Sequence, residues 1–460
     1  MSMKRRTAKS GASAAFAHSA DLPDSLTSLV KGASPLRILT VDIDQPLPDL
    51  RANDHYSAAY VLLSRKGVYR GEVVIDLLTD AASIQDHLRE AVTQLKGTLT
   101  DDSVLLALSD RELPRISIVV PTIVERIEEL RRCIASIEQL DYPNFELLLV
   151  DNRRVVPGQD PLPALVHGRT WLRVIRESRS GISAARNEGV ANADGDVVAF
   201  TDDDVRVDPQ WLRALGTRLA LNPDLDAVTG LILPAELESP AQIWFERYYN
   251  GFNGQRTFLP LILKADGRSS RMLRGSRILA RDLTGAVRDS FPVYGAGAYA
   301  AGANMAFRTS TLRRIGGFDV ALGTGTPARG GEDLAAIITV LWTRGSVGYE
   351  PTAVVHHRHR SEYVELLTLM DGEGTGFTAM LTSLVRDDPR HVFGLSVQFL
   401  LSLRKLVFER ARRLRGLSTV GPKVRARDPL FPPELSKREF RACLRGPRAY
   451  LRSRSEWNSS

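Results

Sequence analysis

At 460 residues, 43% apolar and 25% charged, the chain is large enough for two or three units around a sizeable core, and its balance excludes a disordered or fibrous class. Its two cysteines, Cys133 and Cys443, have no metal-ligand spacing, which argues against a disulfide framework or a structural zinc site and suits a reducing compartment. The net charge of +7 belongs to the tail: from Arg404 onward 16 Lys/Arg stand against 5 Asp/Glu, a local +11 that leaves the remainder at −4.

Residues 1–35 are polar, small and Pro-punctuated, the composition of a disordered N-terminus. Lys4, Arg5 and Arg6 precede a mixed Ala/Ser/His stretch without the apolar run of a signal peptide. A small α/β N-terminal domain is expected over 36–113. Its strands fall at 36–41, 60–64 and 68–77, the last two around a Lys66-Gly67 turn, and a helix over 81–95 places Ile84, Leu88, Val92 and Leu95 on one face.

The texture changes at residue 114. Strands at 116–120, 145–150, 172–175 and 196–201 alternate with helical spacing, which predicts βαβ units and a parallel sheet. The second strand ends in Asp151-Asn152 and the fourth runs into Asp202-Asp203-Asp204. Carboxylates there lie at the strand ends where open α/β sheets hold ligands. Three adjacent carboxylates repel one another and suit a cation with oxygen ligands, Mg²⁺ or Mn²⁺, holding a phosphorylated substrate. A solvated turn or an N-cap accounts for any one of them alone.

A helix to 221 and a strand at 227–233 follow. Residues 238–300 fit no single period and carry Trp244, Phe245, Tyr248, Tyr249, Phe252, Phe258 and Tyr294. They read as an aromatic platform for a sugar or lipid acceptor, with a core-packing insertion as the alternative. A glycine-rich loop then leads to Glu332-Asp333 at the start of a helix over 334–343. A strand over 349–355 ends in His356-His357-Arg358-His359-Arg360, a cluster able to contact metal or phosphate. Residues 361–460 read as a helical, basic C-terminal extension interrupted at 372–376. Val392, Leu395, Phe399, Leu400, Leu403 and Leu406 form a stripe ahead of Arg404, Lys405, Arg410, Arg412, Arg413 and Arg415. That pattern suits an interfacial helix on anionic lipid, or a packing helix with a solvated basic end. The tail lacks the interleaved aromatics of a nucleic-acid surface, and no apolar run is long enough to span a membrane.

Six motifs occur in order: Ile118-Val119-Val120-Pro121-Thr122, Leu149-Val150-Asp151, Gly181-Ile182-Ser183-Ala184-Ala185-Arg186-Asn187, Phe200-Thr201-Asp202-Asp203-Asp204, Gly302-Ala303-Asn304-Met305 and Gly331-Glu332-Asp333. Together they resemble a bacterial-type family 2 glycosyltransferase with the GT-A fold, over residues 114–360. The resemblance implies an α/β fold: a Rossmann-like nucleotide-binding domain around a central, mostly parallel sheet. It implies inverting, Mn²⁺- or Mg²⁺-dependent transfer of a sugar from a UDP-linked nucleotide-sugar donor to a hydroxyl of a glycan or lipid-linked acceptor. Asp333, beside Glu332, takes the place of the catalytic base. Pro121, Thr122, Arg126, Asp151, Arg186, Asp202 and Asp203 fall where the family holds the nucleotide sugar. Asp204 and His357 fall on metal ligands, and Gly302 and Asn304 toward the acceptor. Glu125 stands where the pattern has Asn. No Gln-x-x-Arg-Trp follows Glu332-Asp333, which implies a non-processive enzyme. The expected setting is cytoplasmic, peripheral at the inner membrane face, in cell-envelope polysaccharide biosynthesis. A nucleotidyltransferase would carry a Gly-rich basic loop where this chain has residues 121–126. A non-catalytic sugar-binding module would have no use for Asp333 beside an intact acid cluster.

Overall fold

The computed structural model describes residues 34–96, 108–155, 158, 160–249, 251–252, 256–267, 275–401 and 432–459. Nearly all of the expected disordered N-terminus, and the run from Arg404 to Arg415, lie outside the described residues. Strands β1 (Leu36–Asp42), β2 (Ala58–Arg65) and β3 (Val68–Asp76) form a sheet of their own, with β1 parallel and β3 antiparallel to β2. Lys66 and Gly67 have φ of 52° and 79°, the positive pair with which a two-residue hairpin continues the strand twist. Helix α1 (Ala81–Lys96) covers this sheet with Ile84, Leu88 and Val92.

The main body continues with β4 (Ile116–Thr122), α2 (Ile127–Ile137), β5 (Phe145–Asp151), α3 (Leu162–Val166), β6 (Leu172–Arg176), α4 (Ile182–Ala191), β7 (Val197–Phe200), β8 (Val205–Val207) and α5 (Trp211–Leu221). After these come β9 (Ala227–Pro234), α6 (Pro240–Tyr249), β10 (Leu261–Ala265), β11 (Arg277–Arg281), β12 (Val287–Pro292), β13 (Met305–Arg308) and α7 (Thr309–Ile315). The chain closes with α8 (Glu332–Trp342), β14 (Ser346–His357), α9 (Tyr363–Asp387), a helical stretch over 391–401, α10 (Pro433–Cys443) and α11 (Gly446–Ser459). The central order is β6-β5-β4-β7-β13-β9-β14, in which β13 alone runs against the rest. Strands β10, β11 and β12 extend it antiparallel beyond β14. Strands β4, β5, β7 and β9 are largely apolar because helices cover both faces, whereas β6 at the edge keeps two arginines.

Three readings change. The 238–300 aromatics are largely core: α6 buries Trp244, Phe245 and Tyr248 against Leu366, Met370 and Leu435. That helix is buried on nearly every side, so its sequence shows no amphipathic stripe to read. Helix α9 runs through 372–376 without a break. Its glycines make room for neighbours: a Cβ on Gly374 would lie 2.2 Å from the Glu439 carbonyl of α10, and one on Gly376 would lie 2.9 Å from Gly330, just ahead of α8. Finally, His356 and His357 lie inside β14, because β8 and β9 both pair that far.

Candidate active site

The acid cluster follows β7 at the carboxyl edge of the parallel strands. The chain then turns into β8, which pairs antiparallel with the end of β14 and sets Val205 opposite His357. This register brings Asp204 to His357: Oδ1 lies 3.4 Å from Nε2, and both side chains are under 9% exposed. His357 Nδ1 is 3.0 Å from the Arg358 carbonyl, which can only accept. In the tautomer that donates from Nδ1 to this carbonyl, Nε2 keeps its lone pair on the Asp204 side. The other Asp204 oxygen meets Arg126 at 3.0 Å and Arg360 at 3.6 Å.

Asp203 accepts a hydrogen bond from the Thr122 hydroxyl at 2.6 Å, and the same oxygen of Thr122 accepts from the Val124 N–H at 2.9 Å. Val124 holds φ 56°, a costly conformation for a β-branched residue, in the loop beside the acids. Burial pushes the Asp203 carboxyl up to about 7, against the Thr122 hydrogen bond and with help from Asp204 and Asp202. Asp202 is raised too, by burial first, with Arg186 opposing.

Arg186 joins the acid cluster to the start of α8. Its Nη2 reaches Asp202 at 3.2 Å and its Nη1 reaches Glu332 at 2.7 Å. Burial and the adjacent Asp333 push Glu332 above the usual carboxylate range. Asp333, half-buried, accepts from the Gly302 N–H at 2.6 Å and from the Leu334 N–H at 2.8 Å. A Cβ on Gly302 would lie 2.6 Å from Arg186 and 3.0 Å from Asp333, so a bare backbone is needed there. Gly331 caps α8 with φ 87°, which starts the helix directly at the two carboxylates.

Several motif residues face inward instead of toward a ligand. Arg186 is 1% exposed, so its charge is spent on Asp202 and Glu332 and not on an open phosphate site. The cause is close helix packing: a Cβ on Gly189 would lie 2.5 Å from Val119, so α4 lies hard against β4. Asp151 is held bidentate by Arg153 at 2.8 Å and by Arg176 at 3.0 Å, and these arginines keep its pKa low against its burial. Pro121 and Thr122 are buried at the end of β4. Asn304 has no exposed surface: its amide donates to the Leu231 and Ala353 carbonyls and its oxygen accepts from the Trp211 indole. This corrects the expectation that Asn304 faces an acceptor; it brackets β9, β14 and α5. Asn304→Ala is expected to cost about 3 kcal/mol of stability, because it strands buried partners. Urea denaturation measures this, and an unchanged midpoint would show the bracket is dispensable.

Three contributors were faint or invisible in the sequence. Asn152 ties the end of β5 to the start of α4, donating to the Glu177 and Arg179 carbonyls at 2.8 Å and accepting from the Gly181 N–H at 3.0 Å. Its only signal was an Asn directly after a strand-ending Asp. Arg360 read as the tail of the His cluster, and the contact of Phe252 with His357, centroids 4.5 Å apart, had no signal at all. A polar cavity of about 370 Å³ opens beside Asp204, lined by Glu129, Arg132, Arg206, Glu236 and Arg358. Among the described residues no three His, Cys, Asp or Glu side chains converge as a complete metal-ligand set.

The model of glycosyl transferase family 2 matches residues 117–274. The glucosyl-dolichyl phosphate glucuronosyltransferase of Haloferax volcanii is 30% identical over 142 residues, 29% of this chain and 44% of that protein. The succinoglycan biosynthesis protein ExoW of Rhizobium meliloti is 34% identical over 95 residues, 20% of this chain and 30% of that protein. The chain thus spans less than half the length of these curated relatives. Among solved structures, the mannosyltransferase PcManGT from Pyrobaculum calidifontis, in complex with GDP-Man and Mn²⁺, covers 80% of this chain and 96% of its own, at 16% identity and a TM-score of 0.44. That likeness is too distant to bear on the site.

Proposed function

We propose that this chain, whose residues 117–274 belong to glycosyl transferase family 2, moves a glycosyl group from a nucleotide-sugar donor to an acceptor hydroxyl. The supporting observation is one bridge: Arg186 ties Asp202 of the acid cluster to Glu332 beside Asp333, which sets a candidate cation site and a candidate base close together. A UDP-linked donor and a glycan or lipid-linked acceptor suit the motif set. Transfer is non-processive and inverting in this reading.

The residues fit a divalent cation, Mn²⁺ or Mg²⁺. Asp204 and His357 present an oxygen and a nitrogen to one point, and two further carboxylates, Asp202 and Asp203, precede Asp204 in the same turn. Two protein ligands suffice when substrate phosphates and water complete the shell. Bound there, the cation would neutralise charge on the departing diphosphate. Arg126 and Arg360, on the far oxygen of Asp204, are placed to meet phosphate oxygens as well. Asp333 accepts the acceptor's hydroxyl proton while the acceptor oxygen bonds the anomeric carbon and the bond to the nucleoside diphosphate breaks. Attack opposite the leaving group inverts that carbon. Gly302 N–H holds one Asp333 oxygen in place, and Glu332 fixes Arg186 behind it.

A cytoplasmic enzyme of cell-envelope glycan synthesis, peripheral at the membrane, fits this chemistry. No helix among the described residues is long and apolar enough to cross a membrane. Phe393 and Phe399 are exposed on the 391–401 helix, ahead of the basic run in sequence, which supports contact with anionic lipid. Incubation with a panel of nucleotide sugars and Mn²⁺ tests the assignment. Release of nucleoside diphosphate from one of them is expected, and release from none at any acceptor would remove it.

A further inference from the structure

Five ionisable or hydroxyl-bearing side chains lie between the small N-terminal sheet and β14, and the reaction above uses none of them. The sheet docks on the main body through Tyr60 and Leu62 of β2, packed on Leu231, Leu233, Leu237, Ile243 and Val354. Apolar packing of this kind needs no charge. Yet Arg256, whose side chain is 5% exposed, donates to the Tyr60 hydroxyl at 2.8 Å and to Glu72 of β3 at 3.1 Å. Tyr60 in turn hydrogen-bonds Glu72. The same Arg256 nitrogen contacts Glu246 of α6. The other oxygen of Glu246 accepts from His359 Nε2 at 2.9 Å, with both side chains under 7% exposed. Burying the Glu246 carboxylate, the Arg256 guanidinium and the His359 imidazole carries a desolvation cost that apolar packing would avoid. Such a network makes sense where it fixes one geometry.

The geometry it fixes is the wall behind His357. His359 lies nearly parallel to His357 at 28°, centroids 5.9 Å apart. Phe252 fills the corner, 4.5 Å from His357 and 5.8 Å from His359, and Phe245 packs on both Phe252 and His359 at 5.0 Å. Gly251, at φ 59°, makes the turn that lays Phe252 there, and a Cβ on it would lie 2.8 Å from Glu246 and 3.3 Å from His359. On the outer side, Tyr69 of β3 sits edge-on to His356, one residue before His357.

We propose that the N-terminal sheet is a positioning element for the cation site: a chain from Glu72 at the sheet surface through the buried Arg256, Glu246 and His359 runs to the aromatic wall on which His357 rests. This inference rests on the reading of Asp204 and His357 as metal ligands. The ligand ring has two anchors, the Arg358 carbonyl on its edge and this wall on its face. A histidine free to rotate gives up the preset lone pair, and outer contacts that hold a ligand ring typically contribute 10–100-fold in metal affinity. Tyr60, Glu72, Arg256 and Glu246 are positioning residues, since none touches the ion or substrate.

The test uses the full chain and Mn²⁺ with a nucleoside diphosphate, reading free Mn²⁺ by electron paramagnetic resonance. Glu246→Gln removes the charge at the centre of the chain, and Tyr60→Phe removes one hydroxyl while keeping the docking ring. Arg65→Ala, at the exposed pair with Asp44 on the same sheet, serves as the control. Mn²⁺ affinity is expected to fall about 10-fold or more for Glu246→Gln and several-fold for Tyr60→Phe, with the control at the wild-type value. Melting midpoints taken alongside keep the readings separate: Tyr60→Phe that melts earlier but binds Mn²⁺ as wild type overturns the proposal and leaves a docking role only. Wild-type Mn²⁺ affinity in both variants also overturns it while the functional reading stands. Failure of the wild-type chain to bind Mn²⁺ overturns both.

Discussion

Asp333→Asn is expected to lower glycosyl transfer by about 10²–10⁴-fold while donor affinity stays within about twofold. Asp333 is the less buried of the pair at the start of α8, and its two hydrogen bonds come from backbone N–H groups. Such donors orient a carboxylate without supplying a counter-cation. Glu332 is different, since Arg186 takes its charge at 2.7 Å. The asparagine keeps the shape and can still accept from Gly302 N–H, but it cannot take a proton from the acceptor. Steady-state rates with a saturating donor, beside calorimetric donor titrations, separate the two effects. A variant that loses donor binding and rate in equal measure would move Asp333 from proton transfer to donor binding.

Asp204→Ala is the second large effect, and of the opposite kind. It removes the carboxylate that His357, Arg126 and Arg360 share. The metal-dependent part of donor binding is expected to disappear, a loss of at least about 10-fold in affinity measured with Mn²⁺ and none measured in chelator. Without metal the variant can even bind diphosphate slightly better, because two arginines lose their internal partner. Calorimetric titration of nucleoside diphosphate with and without Mn²⁺ reads this directly. Equal metal dependence in variant and wild type would transfer the ligand role to Asp202 or Asp203. Their hydrogen-bonded positions, on Arg186 and Thr122, argue against that.

Together the two variants show which parts of the site the sequence could display. Order along the chain was readable: the buried parallel strands are largely apolar, and the acids that close β5 and follow β7 stand at one sheet edge by topology alone. Side-chain direction was not. Asn304 and Arg186 sit in motif positions yet turn inward, one to bracket strands and one to join acids. Asp151 is bound by its own neighbour Arg153, a pairing that motif spacing does not reveal. Helix α6 hid its period because nearly all of it is buried, and the glycines of α9 looked like a break because their reason, the close approach of α10 and Gly330, lies far away in sequence. The Tyr60–Arg256–Glu246–His359 chain was beyond reach for the same cause, since its members come from three separated segments.

The central claim is that Asp204 and His357 form a cation site serving a nucleotide-sugar donor. A thermal-shift screen of nucleoside diphosphates on the full chain, each run with Mn²⁺ and with chelator, tests it most directly. A ligand that binds only the folded chain raises its melting midpoint by several degrees at about 100-fold excess over its dissociation constant. The account predicts such a shift for at least one nucleoside diphosphate with Mn²⁺, little with chelator, and none of the metal-dependent part in Asp204→Ala. Shifts of equal size with Mn²⁺ and with chelator, or no shift for any nucleoside diphosphate, would contradict it.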